Sequence, residues 1–262
     1  MTKDEQLKAL CVELFAPKPR ENSIRIWEES NAEKLCKEPL VSVCIATYNH
    51  ERWIAEALDS VLCQACDFPY EVIIGEDCSS DRTREICRDY QSRFPDKVRV
   101  FCAERNTQCV EISQAVRLAC RGTYLAFLEG DDYWCDALKL QGQVKRLKET
   151  GADVCFGCTA PVSVDGTSLN RPLYGAHQHW SAAEGADSSN LPHLSSWMVV
   201  REFQQQLAAK YPLVAFHYDV QQVAIMCAEG HAVSVDEIVS CYRITGEGIW
   251  TSLSNAKAQW MR

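Results

Sequence analysis

Short runs of apolar residues alternate, through the middle of the chain, with longer segments whose apolar positions recur every three to four residues. The runs are Val41–Ala46, Glu71–Gly75, Val98–Cys102 and Tyr124–Leu128. They are rich in β-branched and aromatic side chains and too short for buried helices. Between the first two, Ile54, Ala57, Leu58, Val61 and Leu62 form one face of a helix. A second helix carries Ile86 and Tyr90 with Asp81 as its N-cap, and a third spans 110–120. Buried-type strands alternating with helices of this length predict an α/β fold, a mostly parallel sheet flanked by helices.

Further on, a helix over 136–148 has Leu140, Val144 and Leu147 on one face and leads to a strand over 153–161. Val164-Asp-Gly-Thr167 has the signature of a tight hairpin turn. Residues 170–192 are rich in Gly, Ser, His and Asn without periodicity and read as one long loop, of the kind that forms lids or binding segments. Helices are expected over 201–210 and 218–228, the second closed by Gly230, and one or two short strands over 231–244. Residues 1–38 are polar and helix-prone. Leu7, Leu10, Cys11 and Leu14 fall at helical spacing, Pro17 and Pro19 interrupt, and a second amphipathic piece is expected around 24–35. The chain thus divides into a small helical extension (1–38), a main domain (39–252) and a tail (253–262).

Composition narrows the partners. Lys and Arg number 27 against 36 Asp and Glu, a net charge of −9. That argues against nucleic acid, or an anionic membrane, as a partner through a general field. Local binding of an anion through a metal is untouched by it. No window approaches the roughly 18 uninterrupted apolar residues of a membrane span. Met1-Thr-Lys-Asp-Glu5 lacks the basic-then-apolar order of a secretory signal. The expected compartment is the cytoplasm; peripheral attachment to a membrane and a homo-oligomer stay open. The 15 cysteines then read as reduced, half-buried thiols rather than a disulfide framework. Cys63-x-x-Cys66 and Cys155-x-x-Cys158 have zinc-ligand spacing. They lie much farther apart than the roughly 15–20 residues usual between such pairs.

The chemistry is concentrated in Thr123-Tyr-Leu-Ala-Phe-Leu-Glu-Gly-Asp-Asp-Tyr-Trp134. A buried strand ends there in three carboxylates, Glu129, Asp131 and Asp132, which are costly to desolvate unless something positive sits among them. Glu76-Asp77 ends a second strand and Thr47-Tyr48-Asn49 a third. Parallel strands point their carboxyl ends to one side, so these residues can line one crevice, where ligands bind in open α/β sheets. No Gly-rich dinucleotide fingerprint follows the first strand, and no Gly-Lys-Ser/Thr phosphate loop occurs. If phosphates bind, a divalent cation is their anchor, because hard cations take carboxylate oxygens and bridge to phosphate. The plain alternative is an acidic loop that caps the next helix.

Taken in order, several segments resemble the family 2 inverting glycosyltransferases of the GT-A fold. They are Val41–Asn49, Glu76-Asp-Cys-Ser-Ser-Asp-Arg-Thr83, Glu104-Arg-Asn106, Gly122–Trp134, Ser195-Ser196, Asp219 and Tyr242-Arg-Ile-Thr-Gly-Glu-Gly-Ile-Trp250. The resemblance implies that residues 39–135 bind a nucleotide-sugar and 136–252 a glycan acceptor. Thr47, Tyr48 and Asn49 would lie at the nucleotide, Glu76 and Asp77 would meet its base, and Arg105 the base or diphosphate. Glu129, Asp131 and Asp132 fall on the metal-binding motif, with Asp131 or Asp132 the direct ligand to Mn²⁺ or Mg²⁺ on the donor diphosphate. Asp219 stands where the family presents its general base, and Tyr242, Arg243 and Trp250 in a flexible segment that closes near the donor. The implied activity moves a sugar, from a UDP-sugar for preference, to a glycan hydroxyl in surface polysaccharide biosynthesis.

Two positions depart from the family pattern. Glu129 replaces the commoner Asp, and Thr245 stands where many relatives carry His; His193 is one candidate to replace that imidazole. These departures favour a rival reading, a catalytically silent GT-A domain serving as a partner subunit. A nucleotidyltransferase is the second rival, and the absence of a basic Gly-rich loop after the first strand argues against it.

Overall fold

The computed structural model describes residues 24–169, 175, 179–186, 191–211 and 219–245. Its strands are β1 (Ile26–Glu29), β2 (Val41–Thr47), β3 (Tyr70–Glu76), β4 (Val98–Ala103) and β5 (Tyr124–Glu129). They continue with β6 (Tyr133–Trp134), β7 (Val154–Val162), β8 (His179–Trp180), β9 (Met198–Val200) and β10 (Ala232–Arg243). The helices are α1 (Ile54–Leu62), α2 (Thr83–Arg93), α3 (Val110–Ala119), α4 (Lys139–Thr150), α5 (Ala182–Ala186), α6 (Arg201–Lys210) and α7 (Asp219–Glu229). All ten strands join one sheet in the order β1-β4-β3-β2-β5-β9-β7-β10-β6, with β8 paired to β10.

The expected parallel block is present as β4-β3-β2-β5, in which Thr47 faces Glu76 and Ala46 faces Glu129. The second half is mixed. β9 runs antiparallel between β5 and β7, while β10 runs parallel to β7. Side chains alternate between two cores. Val41, Val43, Ile45, Val72 and Ile74 pack with Ile54, Leu58, Tyr90, Leu140 and Val144 from α1, α2 and α4. On the opposite face Cys44, Ile73, Leu125, Phe127 and Phe156 pack with Val116, Phe203, Leu207 and Val223 from α3, α6 and α7. That second core contains a thiol pair, Cys44 Sγ and Cys120 Sγ, 3.3 Å apart.

The same face carries a buried ion cluster at the amino ends of the strands. Glu71 accepts hydrogen bonds from Ser42 Oγ at 2.7 Å, Arg121 Nε at 2.8 Å and Arg99 Nη1 at 3.2 Å. Gly122 runs against β2 there. A Cβ on it would stand 2.5 Å from Ser42 N and 2.7 Å from the Val41 carbonyl carbon.

Three expectations change. The segment around 24–35 is not helical: Ile26–Glu29 is an edge strand antiparallel to β4, with Trp27 opposite Cys102. Side chains on β4 and α2 decide this. Arg99 Nε and Nη2 donate to Glu28, and Arg88 donates through Nε and Nη2 to both oxygens of Glu29. The guanidiniums of Arg25 and Arg84 both stand over the Trp27 ring. Helical propensity yields here to tertiary pairing. Residues 232–243, read as one or two short strands, form one strand, bent by a register shift against β7 that leaves Asp236–Ile238 exposed. The long-loop region holds β8 and α5 among its described residues. The hairpin turn stands as expected, with Gly166 at φ 84° and Ser163 N donating to Thr167 O.

Candidate active site

The crevice floor is built by three strand ends that tie one another down. Asn49 follows β2 at φ 55°; its Oδ1 accepts from Ser80 N at 2.8 Å, and its own N–H donates to Ser79 Oγ at 3.0 Å. The loop after β2 is thereby latched to the loop after β3. Thr47 is buried, while Tyr48 beside it is 37% exposed. Glu76 and Asp77, expected to meet the nucleotide, are buried, with their oxygens hydrogen-bonded within the protein. Glu76 accepts from Ser79 N and from Arg84 Nε. Asp77 accepts from Thr107 N at 2.8 Å and Cys109 N at 2.9 Å, drawing the loop after β4 against the strand end. Burial pushes the Asp77 carboxyl up, and those backbone donors oppose the rise. Both acids shape the floor. Arg105, in the same loop, is exposed.

The acidic turn after β5 fits against β2 because residue 130 is glycine. Gly130 N donates to Ala46 O at 2.9 Å, and a Cβ there would lie 2.6 Å from Thr47 Oγ1 and 2.7 Å from His50 Nδ1. The two aspartates then point apart. The Asp131 side chain is 16% exposed, and its Oδ2 lies 3.9 Å from His50 Nε2. Asp132 is 1% exposed. Its Oδ1 accepts from Arg243 N at 2.9 Å and its Oδ2 from Ser195 Oγ at 2.6 Å. Ser195 Oγ also accepts from Glu129 N at 3.2 Å. Of the pair named as the direct metal ligand, Asp132 is buried and hydrogen-bonded through both oxygens, while Asp131 is the more exposed.

Arg243 is a latch. Its Nε donates to Asp131 O, its Nη1 to Val164 O at 2.7 Å and its Nη2 to Glu56 Oε2 at 2.6 Å, with the guanidinium over the Tyr133 ring. Tyr242 and Arg243, expected in the closing segment, are the last residues of β10, where β7 and the acidic turn hold them. Trp250 lies outside the described residues. His193 stacks on Tyr242 with ring centroids 4.4 Å apart, its Nδ1 3.5 Å from Asp132 Oδ2. Burial pushes this imidazole down to about 4, so it is neutral near pH 7.

Electrostatics link the turn to α7. Burial raises the Glu129 carboxyl well above the usual range; Asp131, Asp219 and Asp132 add to the rise and Arg117 opposes it. Asp132 is raised by burial and by Asp131. Asp219, first residue of α7, is pushed up to about 6 by burial, against the pull of Arg117. Among the described residues no three His, Cys, Asp or Glu side chains converge as a self-contained metal site. The Cys-x-x-Cys pairs meet no such cluster either, and their thiols are free. What the turn offers is a partly exposed carboxylate, Asp131, beside acids whose mutual repulsion a cation would relieve.

Comparison with known proteins places this geometry. The profile of glycosyl transferase family 2 matches residues 42–204, more than half the chain. The chain belongs to the family 2 glycosyltransferases. An uncharacterised protein of Mycobacterium tuberculosis is 32% identical over 230 residues, covering 81% of this glycosyltransferase chain and 61% of the relative. TuaG of Bacillus subtilis, whose provisional name is a teichuronic acid biosynthesis glycosyltransferase, is 26% identical over 85% of this chain and 86% of its own. Among solved structures, TarS of S. aureus in complex with UDP-GlcNAc has a TM-score of 0.61 at 19% identity, covering 82% of this chain and 61% of TarS. The mannosyltransferase PcManGT of Pyrobaculum calidifontis, in complex with GDP-Man and Mn²⁺, has a TM-score of 0.60 at 16% identity, covering 94% and 66%. At such identities the likeness establishes the fold, the GT-A architecture of the sequence reading. The chain spans about three fifths of the length of its mycobacterial relative and of TarS.

Three residues around the acidic turn carried little signal in the sequence. His50 directly follows the Thr-Tyr-Asn strand end, and only the fold shows that it faces Asp131. Ser195 was part of a motif, but its bridge between Asp132 and Glu129 spans more than sixty residues. Arg117 reads as one polar position of an amphipathic helix.

Proposed function

We propose that this chain transfers a sugar with inversion from a nucleotide-sugar, a UDP-sugar in the first place, to a hydroxyl of a glycan in surface polysaccharide assembly. The observation that carries the reading is Asp219. It opens α7, a helix tied through Gln222 to Arg117, at the position that matches the family's base. Burial raises its carboxyl toward the range where a general base works at neutral pH. TarS bound to UDP-GlcNAc supports the choice of nucleotide, and the names of TuaG and of the succinoglycan biosynthesis protein ExoO of Rhizobium meliloti support the class of product.

In this reading Asp219 takes the proton of the acceptor hydroxyl as its oxygen bonds to the anomeric carbon. The bond from that carbon to the diphosphate oxygen breaks in the same displacement, and the nucleoside diphosphate leaves with the electron pair. One displacement inverts the centre, and no covalent nucleophile is required. Tyr48 lies at the nucleotide, while Thr47 and Asn49 hold the loop that presents it. Asp131 would hold a Mn²⁺ or Mg²⁺ ion jointly with the donor diphosphate, an arrangement of one or two protein carboxylates plus phosphates that such ions accept. When bound, that ion supplies Lewis-acid stabilisation of the leaving diphosphate.

Calorimetric titration of UDP and GDP, with Mn²⁺ and then with EDTA, tests this. UDP is expected to bind with metal, and to bind weakly or not at all in EDTA or to Asp131→Asn. If neither nucleotide binds under any metal condition, the donor site is misassigned and the silent partner-subunit reading takes its place.

A further inference from the structure

α3 and α7 meet through Arg117. The Arg117 Nη1 donates to Gln222 Oε1 at 3.0 Å, and the guanidinium lies over the Phe127 ring, 4.8 Å from its centroid. Gln222 is three residues beyond Asp219, hence on the same side of α7. Phe127 is two residues before Glu129 on β5, hence on the same face of the sheet. Arg117 therefore stands where the helix bearing the base candidate meets the strand bearing the acidic turn. Arg117 is half-buried, and withdrawing even part of a guanidinium from water is costly without nearby negative charge. Here Asp219 and Glu129 supply it, both lying within electrostatic reach of Arg117.

Arg117 lines a small pocket together with Ser113, Phe127, Glu129 and Leu194. A cation held by Gln222 and Phe127 acts on the reaction through the groups it holds.

We propose that Arg117 is a positioning residue for sugar transfer: hydrogen-bonded to Gln222 and lying over Phe127, it seats the first turn of α7 against the sheet and so fixes where the Asp219 carboxylate stands. The proposal rests on the reading of Asp219 as the base. Among the described residues, the Arg117–Gln222 hydrogen bond ties α3 to the first turn of α7, while the later turns pack in the second core. Lysine restores the charge but not the planar fork that can engage Gln222 and stack on Phe127 together.

The test compares wild type, Arg117→Gln, Arg117→Lys and Gln222→Leu as full chains, with kcat expressed per folded enzyme from a thermal melt. Arg117→Gln is expected to lower kcat at least roughly tenfold while donor KM and UDP affinity stay unchanged, since misplacing a catalytic group by about an ångström has that scale of effect. Arg117→Lys is expected to recover part of the loss, and Gln222→Leu to show a smaller loss of the same kind. Hydrogen exchange of the α7 amides, read without substrate, is expected to rise in Arg117→Gln and fall back in Arg117→Lys. Unchanged kcat per folded enzyme, unchanged α7 exchange, or a raised donor KM at constant kcat would each overturn the proposal. If Arg117→Gln fails to fold, Gln222→Leu carries the same test. The reading of Asp219 fails separately, by Asp219→Asn keeping wild-type kcat.

Discussion

Asp219 keeps its proton up to about pH 6 because burial withholds water from the carboxylate and Arg117 offsets this only in part. A base works deprotonated, so kcat is expected to fall as pH drops through about 6 and to be level above it. A kcat–pH profile measures this directly. Asp219→Asn is expected to cost roughly 10²–10⁴-fold in kcat at little cost in UDP affinity. Gly130→Ala tests the neighbouring fit. Its methyl would enter the space of the Thr47 and His50 side chains. Calorimetry is expected to show weakened UDP binding, with a stability loss of about 1–3 kcal/mol. Asp131 and Asp219 were singled out in the sequence because both stand at positions that match the family's motifs. The inward turn of Asp132 was not, since its partners Ser195 and Arg243 lie 63 and 111 residues away.

At the scale of elements, the Arg243 side chain ties the end of β10 to the acidic turn, to the loop after β7 and to α1. Arg243→Met leaves the carbonyls of Asp131 and Val164 without this donor, although the Arg243 backbone N–H still serves Asp132. A loss of about 1–3 kcal/mol is expected, from urea unfolding followed by fluorescence under reductant. UDP affinity should fall with it, because the acidic turn is no longer anchored. Gly122→Ala places a methyl against the β2 backbone, which cannot give as a side chain can. It should destabilise without touching the crevice, at the far end of the sheet. The parallel block was legible because its strands are continuous apolar runs joined by periodic helices. β9 was not, at three residues, and β1 was misread because its arginine partners come from β4 and α2.

For the whole molecule, Lys139 matters more than its sequence shows. It opens α4 and is buried there, its Nζ donating to Gln143 Oε1 at 2.7 Å and lying 4.3 Å from the Trp134 ring centroid. Burial pushes its ammonium down to about 7. The unfolded chain keeps this lysine protonated to near 10.4, so above pH 7 the unfolded state binds more protons here and stability rises with pH. From pH 7 to about 8.5, before most cysteines titrate, the group adds a slope approaching about 1.4 kcal/mol per pH unit. Lys139→Met is expected to remove it, as read from urea midpoints across that range. No periodicity could announce this, since a lysine opening an amphipathic helix ordinarily faces water.

The cysteines have a last consequence, for how long the protein survives rather than how stable it is. Eight of those in the described residues, including the Cys44–Cys120 pair, are buried as free thiols. Folding is what shields them from oxidants. A chain that opens in air exposes them all at once, and random cross-linking then outruns refolding. Its working lifetime without reductant is therefore a clock set by the unfolding rate, and a melting temperature taken in air will move with the speed of the scan.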